Sequence, residues 1–122
     1  MNEYRVIFFE KENGIFPAED FINSLDIKMS AKIYRTLQML EVNGPALREP
    51  YSKHLDDGIF EIRVKLGSNL SRVLYFFYIE KRIVATHGFI KKTQKTPKEE
   101  IERAKLYRNE FMAKEKKINE DS

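Results

Sequence analysis

The spacing of apolar and polar positions changes along the chain, and each change marks an element. Val6, Ile7, Phe8 and Phe9 form an unbroken β-rich run. This predicts a buried strand over Tyr4 to Glu10, closed by the turn residues Lys11-Glu12-Asn13-Gly14. Pro17 then opens a short helix, with Glu19 and Asp20 at the positive end of its dipole and Ala18, Phe21, Ile22 and Leu25 on one face. Met29, Ile33, Leu37 and Leu40 recur at spacings of 4, 4 and 3, the stripe of a second helix from about Ile27 to Val42. Asn43-Gly44-Pro45 stops it. The two helices are predicted to form a hairpin laid against a sheet.

From Ile59 the period becomes two. Phe60, Ile62 and Val64 face one way and Glu61, Arg63 and Lys65 the other, a strand with one polar face. Gly67-Ser68-Asn69 makes a turn into a long strand, Leu70 to Ile79, that is apolar on both faces except at Ser71 and Arg72. Glu80-Lys81 turns into a further strand, about Arg82 to Ile90, which completes an antiparallel meander. Thr96, Pro97 and Glu99 signal a helix start, and Ile101, Ala104, Tyr107 and Phe111 share a face beyond it. The predicted order is β-α-α-β-β-β-α, an α+β domain with one sheet. We expect a single domain over 4–117 and a frayed tail over 118–122.

Composition narrows the class. The chain has 122 residues, of which 42% are hydrophobic and 34% charged, a balance that fits one folded domain. Its longest strongly apolar stretch, Val73 to Ile79, falls far short of a membrane span, so no membrane partner is expected. No basic segment followed by an apolar run opens the sequence, so no secretory signal is expected. The absence of cysteine excludes disulfides, thiolate metal sites and cysteine nucleophiles, and suits a reducing cytoplasm. Two histidines, His54 and His87, are too few for a histidine-rich metal site, and no glycine-rich phosphate loop is present. Neither a cofactor nor a metal is expected. Asp56-Asp57 precede a glycine and fit a turn.

The formal charge of +3 is uneven. Residues 1–47 carry a net −2, residues 48–95 a net +5, and residues 96–122 a net of zero. A basic segment in a neutral frame points to a polyanion-binding face, or to a solvated sheet surface. Arg63 lies on a polar strand face, Arg72 interrupts an apolar strand, and Lys91, Lys92 and Lys95 follow the last strand. Antiparallel neighbours are expected to gather Arg63, Arg72 and the Lys91–Lys92 pair into one patch able to grip a phosphodiester. Plainer roles stay open. Arg63 is equally suited to pairing with Glu61 or Glu80, and Arg72 must find an anion or reach an edge. His87 alternates with Ile83, Ala85 and Phe89, which favours a core histidine over a base.

At these residues the sequence resembles a known family. Glu61-Ile62-Arg63-Val64, Ser71-Arg72-Val73-Leu74-Tyr75 and His87-Gly88-Phe89-Ile90-Lys91-Lys92-Thr93-Gln94-Lys95-Thr96-Pro97 resemble the RelE/ParE toxin superfamily, in its HigB-like, phage-derived branch. Pro50-Tyr51-Ser52-Lys53-His54-Leu55 and Glu100-Ile101-Glu102-Arg103-Ala104 fit the same branch. The resemblance implies a RelE-like fold akin to microbial ribonucleases, with a twisted, mainly antiparallel sheet flanked by helices. It implies a toxin of a type II toxin–antitoxin system that cuts mRNA in the ribosomal A site without a metal, by 2′-hydroxyl attack on phosphate. The partners implied are mRNA, the ribosome and a helix-turn-helix antitoxin. Carried over by residue, Arg72 meets the transition-state phosphate, Arg63 positions it, and Lys91 and Lys92 supply charge or proton transfer. Lys95, Lys53 and His54 are implied as substrate-binding residues. The alternatives are a ParE-like inhibitor of DNA gyrase and a non-catalytic RNA-binding remnant.

Overall fold

The computed structural model describes residues 3–91 and 94–121. Strand β1 (Arg5–Phe8) is followed by helices α1 (Pro17–Ser24) and α2 (Ile27–Asn43), and a single 3-10 turn (Gly44–Ala46) leads into the rest of the sheet. Strands β2 (Ser52–Asp56), β3 (Ile59–Leu66), β4 (Asn69–Tyr78) and β5 (Arg82–Ile90) precede the long helix α3 (Lys98–Asp121). The α+β class is as expected, with one strand more than the sequence pattern gave. The sheet order is β1-β5-β4-β3-β2, with β1 parallel to β5 and the other pairs antiparallel. The extra strand, β2, carries exposed Lys53, His54 and Asp56 at the sheet edge, where little hydrophobic alternation is needed.

Period-two alternation splits the sheet into two covered faces. Ile62, Val64, Val73, Tyr75, Ile83 and Ala85 point toward α1 and α2, where Ala18, Ile22, Met29, Ile33, Leu37 and Leu40 are buried against them. The predicted stripe of α2 is therefore its core face. On the opposite side, Ile59, Leu74, Phe76 and Val84 pack with Phe9 and with Ala104 of α3. Tyr107 stacks on Phe9 at 4.8 Å, and Phe111 meets Phe76 and Tyr78 edge-on. Asp26 caps α2 by accepting from the Met29 amide at 2.9 Å.

The ends of the sheet are tied down by polar contacts. Asp57 (φ 49°) and Gly58 (φ 77°) form the two-residue turn between β2 and β3, with backbone angles that suit an Asp-Gly pair. Helix α3 clamps that turn: Lys105 bonds Asp56 at 2.6 Å, and Arg108 bonds both the Asp57 carboxylate and its carbonyl. On the far edge, the Val6 amide donates to the Glu41 carboxylate at 2.8 Å, which occupies β1's outward edge. Helix α3 continues to Asp121, so 118–121, expected as a frayed tail, are helical. Ser122 lies outside the described residues.

Gly88 shows how tightly the α1 face is built. A Cβ there would lie 2.4 Å from the Phe21 ring and 2.9 Å from the Arg72 carbonyl oxygen. The strand interior accepts a glycine because the helix sits directly on its backbone. Gly88→Ala is expected to lower stability by about 1–3 kcal/mol through overpacking, measured by urea denaturation. A variant as stable as the parent would show that α1 yields freely.

Candidate functional site

The polar face of β3 passes from buried Glu61 through partly exposed Arg63 to exposed Lys65. Pairing sets Arg63 directly opposite Arg72, and Glu61 opposite Leu74, on the face that α3 covers further along. Two guanidinium groups side by side repel, so the arrangement needs an anion. Glu61 supplies it. Its side chain is wholly buried; one carboxylate oxygen takes the Arg63 Nε at 2.5 Å, and the other lies 3.8 Å from the Arg72 Nε. The Thr96 hydroxyl donates to that same second oxygen. Thr96 thus reaches back into the sheet, and helix α3 begins two residues later, at Lys98. The sequence pattern places Thr96 in the helix-start signal, and its hydroxyl goes to Glu61 instead.

The segment after β5 closes over this cluster. The Gln94 carbonyl accepts from Arg63 Nη2 at 2.5 Å and from Arg72 Nη2 at 2.9 Å. Arg72 is fully buried beneath it, whereas the Arg63 side chain keeps 17% of its surface open. Burial draws the Arg72 guanidinium below the ordinary arginine value; Glu61 opposes this and Arg63 adds to it. Arg72, expected to meet the phosphate directly, presents no open side-chain surface in this arrangement. A ligand entering from solvent meets Arg63 first.

Two clefts flank Arg63. One, of about 360 Å³, is lined by Lys53, His54, Leu55, Arg63, Gln94, Lys95, Thr96 and Ile101. It brings together all three residues expected to bind substrate and one expected to be catalytic. The His54 ring lies edge-on to Phe60 at 4.9 Å, and its Nε2 accepts from the Gly58 amide at 3.2 Å. The second cleft, of about 340 Å³, lies on the other side of Arg63 and is lined by Lys32, Thr36, Pro50, Tyr51, Val64, Lys65 and Leu70, with Arg63 and Gln94. Lys91 is exposed at the end of β5, where its amide donates to the Leu70 carbonyl at 3.2 Å. Its side chain lines neither cleft. Lys92 lies outside the described residues. Among the described residues, no group of three or more His, Asp or Glu side chains is placed to hold a metal ion.

His87 is buried one strand away. It bonds Thr86 Oγ1 at 3.1 Å and Glu100 at 3.3 Å, and packs against Phe89 and Tyr107. It is a core histidine, as its alternation implied. Burial lowers its pKa from the ordinary 6.5, with Arg103 acting the same way and Glu100 opposing. The sequence left Glu61 as one optional partner of Arg63 and passed over Gln94 and Tyr51 as site residues. The one available signal for Glu61 was its place two residues before Arg63 on the same strand face, opposite an otherwise apolar strand.

A five-stranded sheet with helices on both faces and an arginine pair under a basic cleft make a small α+β domain. The chain belongs to the family described as phage derived protein Gp49-like (DUF891), whose model matches residues 20–108. This family agrees with the RelE/ParE resemblance read from the sequence. Among solved structures, the chain is similar to the archaeal RelE-RelB complex from Pyrococcus horikoshii OT3. The identity is 19% and the TM-score 0.48, over 76% of this chain and 99% of that one. No curated protein matches. Among the described residues, no helix is long and apolar enough to cross a membrane.

Glu61→Ala is expected to cost about 3–5 kcal/mol of folding stability, because it strips a buried guanidinium of its carboxylate. Glu61→Gln, which keeps hydrogen bonding but not charge, should fall between Ala and the parent in the same denaturation series. His87 makes a separate prediction about pH. The unfolded chain protonates this histidine near pH 6.5 and the folded chain only at lower pH. Its contribution is therefore complete above pH 6.5 and is lost as pH falls toward the folded value. His87→Gln should flatten the loss of stability below pH 6.5, read from melting temperatures across pH 5–7.5.

Proposed function

We propose that the protein is a ribosome-dependent mRNA interferase, an endoribonuclease that cuts mRNA in the A site without a metal cofactor. One observation carries this reading: Arg63, Lys53, His54 and Lys95 line a single cleft. Four groups of positive or proton-carrying character around one concavity suit a phosphodiester and the extra charge it gains during attack.

In the reaction proposed, the 2′-hydroxyl oxygen bonds to the adjacent phosphorus and loses its proton. The bond from phosphorus to the 5′-oxygen of the next nucleotide breaks, and that oxygen takes up a proton. The products are a 2′,3′-cyclic phosphate and a 5′-hydroxyl. Arg63 holds the phosphate, with its Nε fixed by Glu61 and one terminal nitrogen on Gln94. The neighbouring cation that keeps this arrangement charged is Arg72, acting from beneath. Lys53 and Lys95 bind flanking phosphates. His54 is the proton-transfer group among the lining side chains. Lys91 and Lys92 enter as charge-stabilising residues through the family resemblance alone. The partner proposed is an antitoxin of the helix-turn-helix kind, whose acidic groups would complement this cleft. A cytoplasmic setting follows from a ribosomal substrate.

The test is induced expression in bacteria, followed by mapping of message ends. Wild type should arrest growth and yield fragments ending in 2′,3′-cyclic phosphate. Arg63→Ala should cleave programmed ribosomes about 10²–10³-fold more slowly, the effect of removing one donor to a developing oxyanion. A folded Arg63→Ala protein with undiminished cleavage would overturn the assignment. Growth arrest with intact message and inhibited DNA supercoiling would move the protein to the gyrase-poisoning class.

A further inference from the structure

The second cleft beside Arg63 differs in character from the first. Pro50, Tyr51, Val64 and Leu70 give it apolar walls, and Lys32, Lys65 and Arg63 place cations around them. Tyr51 is 44% exposed, a large aromatic left open beside the partly buried Arg63. Its position is fixed by the sheet, because its carbonyl accepts from the Arg63 amide at 2.9 Å. The ring and the guanidinium are thus carried by directly bonded backbone. An apolar concavity with an aromatic at its rim and a phosphate-binding arginine beside it is the chemistry of a nucleotide: a flat base next to an anion.

We propose that this cleft is a nucleoside subsite, which takes the base of a nucleotide whose phosphate is held by Arg63 and stacks it on Tyr51. The inference rests on the phosphate-binding reading of Arg63 and adds to it where one flanking base goes. It also predicts how selective the subsite is. Several polar groups that line it are bonded within the protein. Thr36 Oγ1 donates to the Lys32 carbonyl at 3.0 Å, and the Lys32 ammonium donates to the Lys65 carbonyl. The Gln94 carbonyl is shared by the two arginines. Base edges therefore find few acceptors here, and stacking, which every base offers, dominates. The subsite should accept purines and pyrimidines alike.

The experiment is amide chemical-shift mapping of the full chain titrated with adenosine 3′-monophosphate, uridine 3′-monophosphate and, as a probe without a base, ribose 5-phosphate. Both nucleotides should shift the amides of Tyr51, Val64, Lys65 and Leu70, and ribose phosphate should shift Arg63 without that set. Tyr51→Ala should weaken nucleotide binding about tenfold and leave ribose phosphate binding unchanged, and Tyr51→Phe should bind nucleotides as the parent does. Nucleotide shifts confined to Lys53, His54 and Lys95 would overturn the subsite while leaving the phosphate reading intact. Equal binding of the nucleotides and of ribose phosphate would do the same. Failure of all three probes to perturb Arg63 would overturn both. The contrast between probes on the unmodified chain keeps the test decisive even if Tyr51→Ala does not fold.

Discussion

A carboxylate buried between two guanidinium groups sets the design of this molecule. The register of β3 and β4 puts Arg63 opposite Arg72, and no sheet would tolerate that pair without an anion. Glu61 is that anion, and its burial has consequences beyond neutralisation. It fixes the Nε end of Arg63, so that the other end of the guanidinium faces the clefts. It also takes the Thr96 hydroxyl, which draws the chain after β5 across the arginines and decides where α3 starts. One acidic side chain thereby links strand register, loop path and helix position.

The same face of the sheet changes character along its length. Around Ile59, Leu74, Phe76 and Val84 it is apolar and lies under α3. Toward Glu61, Arg63 and Arg72 it becomes ionic, and the cover passes from helix to the 94–96 segment. His87 stands at the boundary, neutral by burial and tied to Glu100 of the helix. The apolar half holds α3 by packing, and the Asp56–Asp57 turn holds it by charge. The ionic half is tied down by polar contacts from Gln94 and Thr96. A surface closed by hydrophobic packing would have no room for an anion.

Much of this was legible in the sequence. The stripes of α1 and α2 named their buried residues, and the alternation of β3 named which side chains share a face. The Asp-Gly turn, the two arginines and the basic charge of the middle third were visible as well. Period two, however, tells which residues lie together and not whether a neighbour covers them. Glu61 therefore read as a surface group and is wholly buried. Arg72 read as a substrate contact and is roofed by a backbone carbonyl from 22 residues away. Strand β2 escaped notice because an edge strand of Ser, Lys, His and Asp has no apolar rhythm to show. Lys91, expected in the same patch, lies at the exposed end of β5 with its amide on the Leu70 carbonyl.

The burial of Arg72 bears on how such a site treats its ligand. A fully exposed pair of arginines would bind any phosphate tightly, in the ground state as well as during reaction, and would gain little in rate. Here one guanidinium is turned to the open clefts and the other is held behind it, with a carboxylate balancing part of the combined charge. In the proposed reaction, Arg63 supplies directed hydrogen bonds to the phosphate and Arg72 raises the local positive potential from beneath. On that proposal, charge that builds on a phosphorus centre during attack meets a fixed field in a partly enclosed cleft, where it acts more strongly than in water. The division of labour follows from the sheet: two cross-strand arginines, of which the loop after β5 covers only one completely.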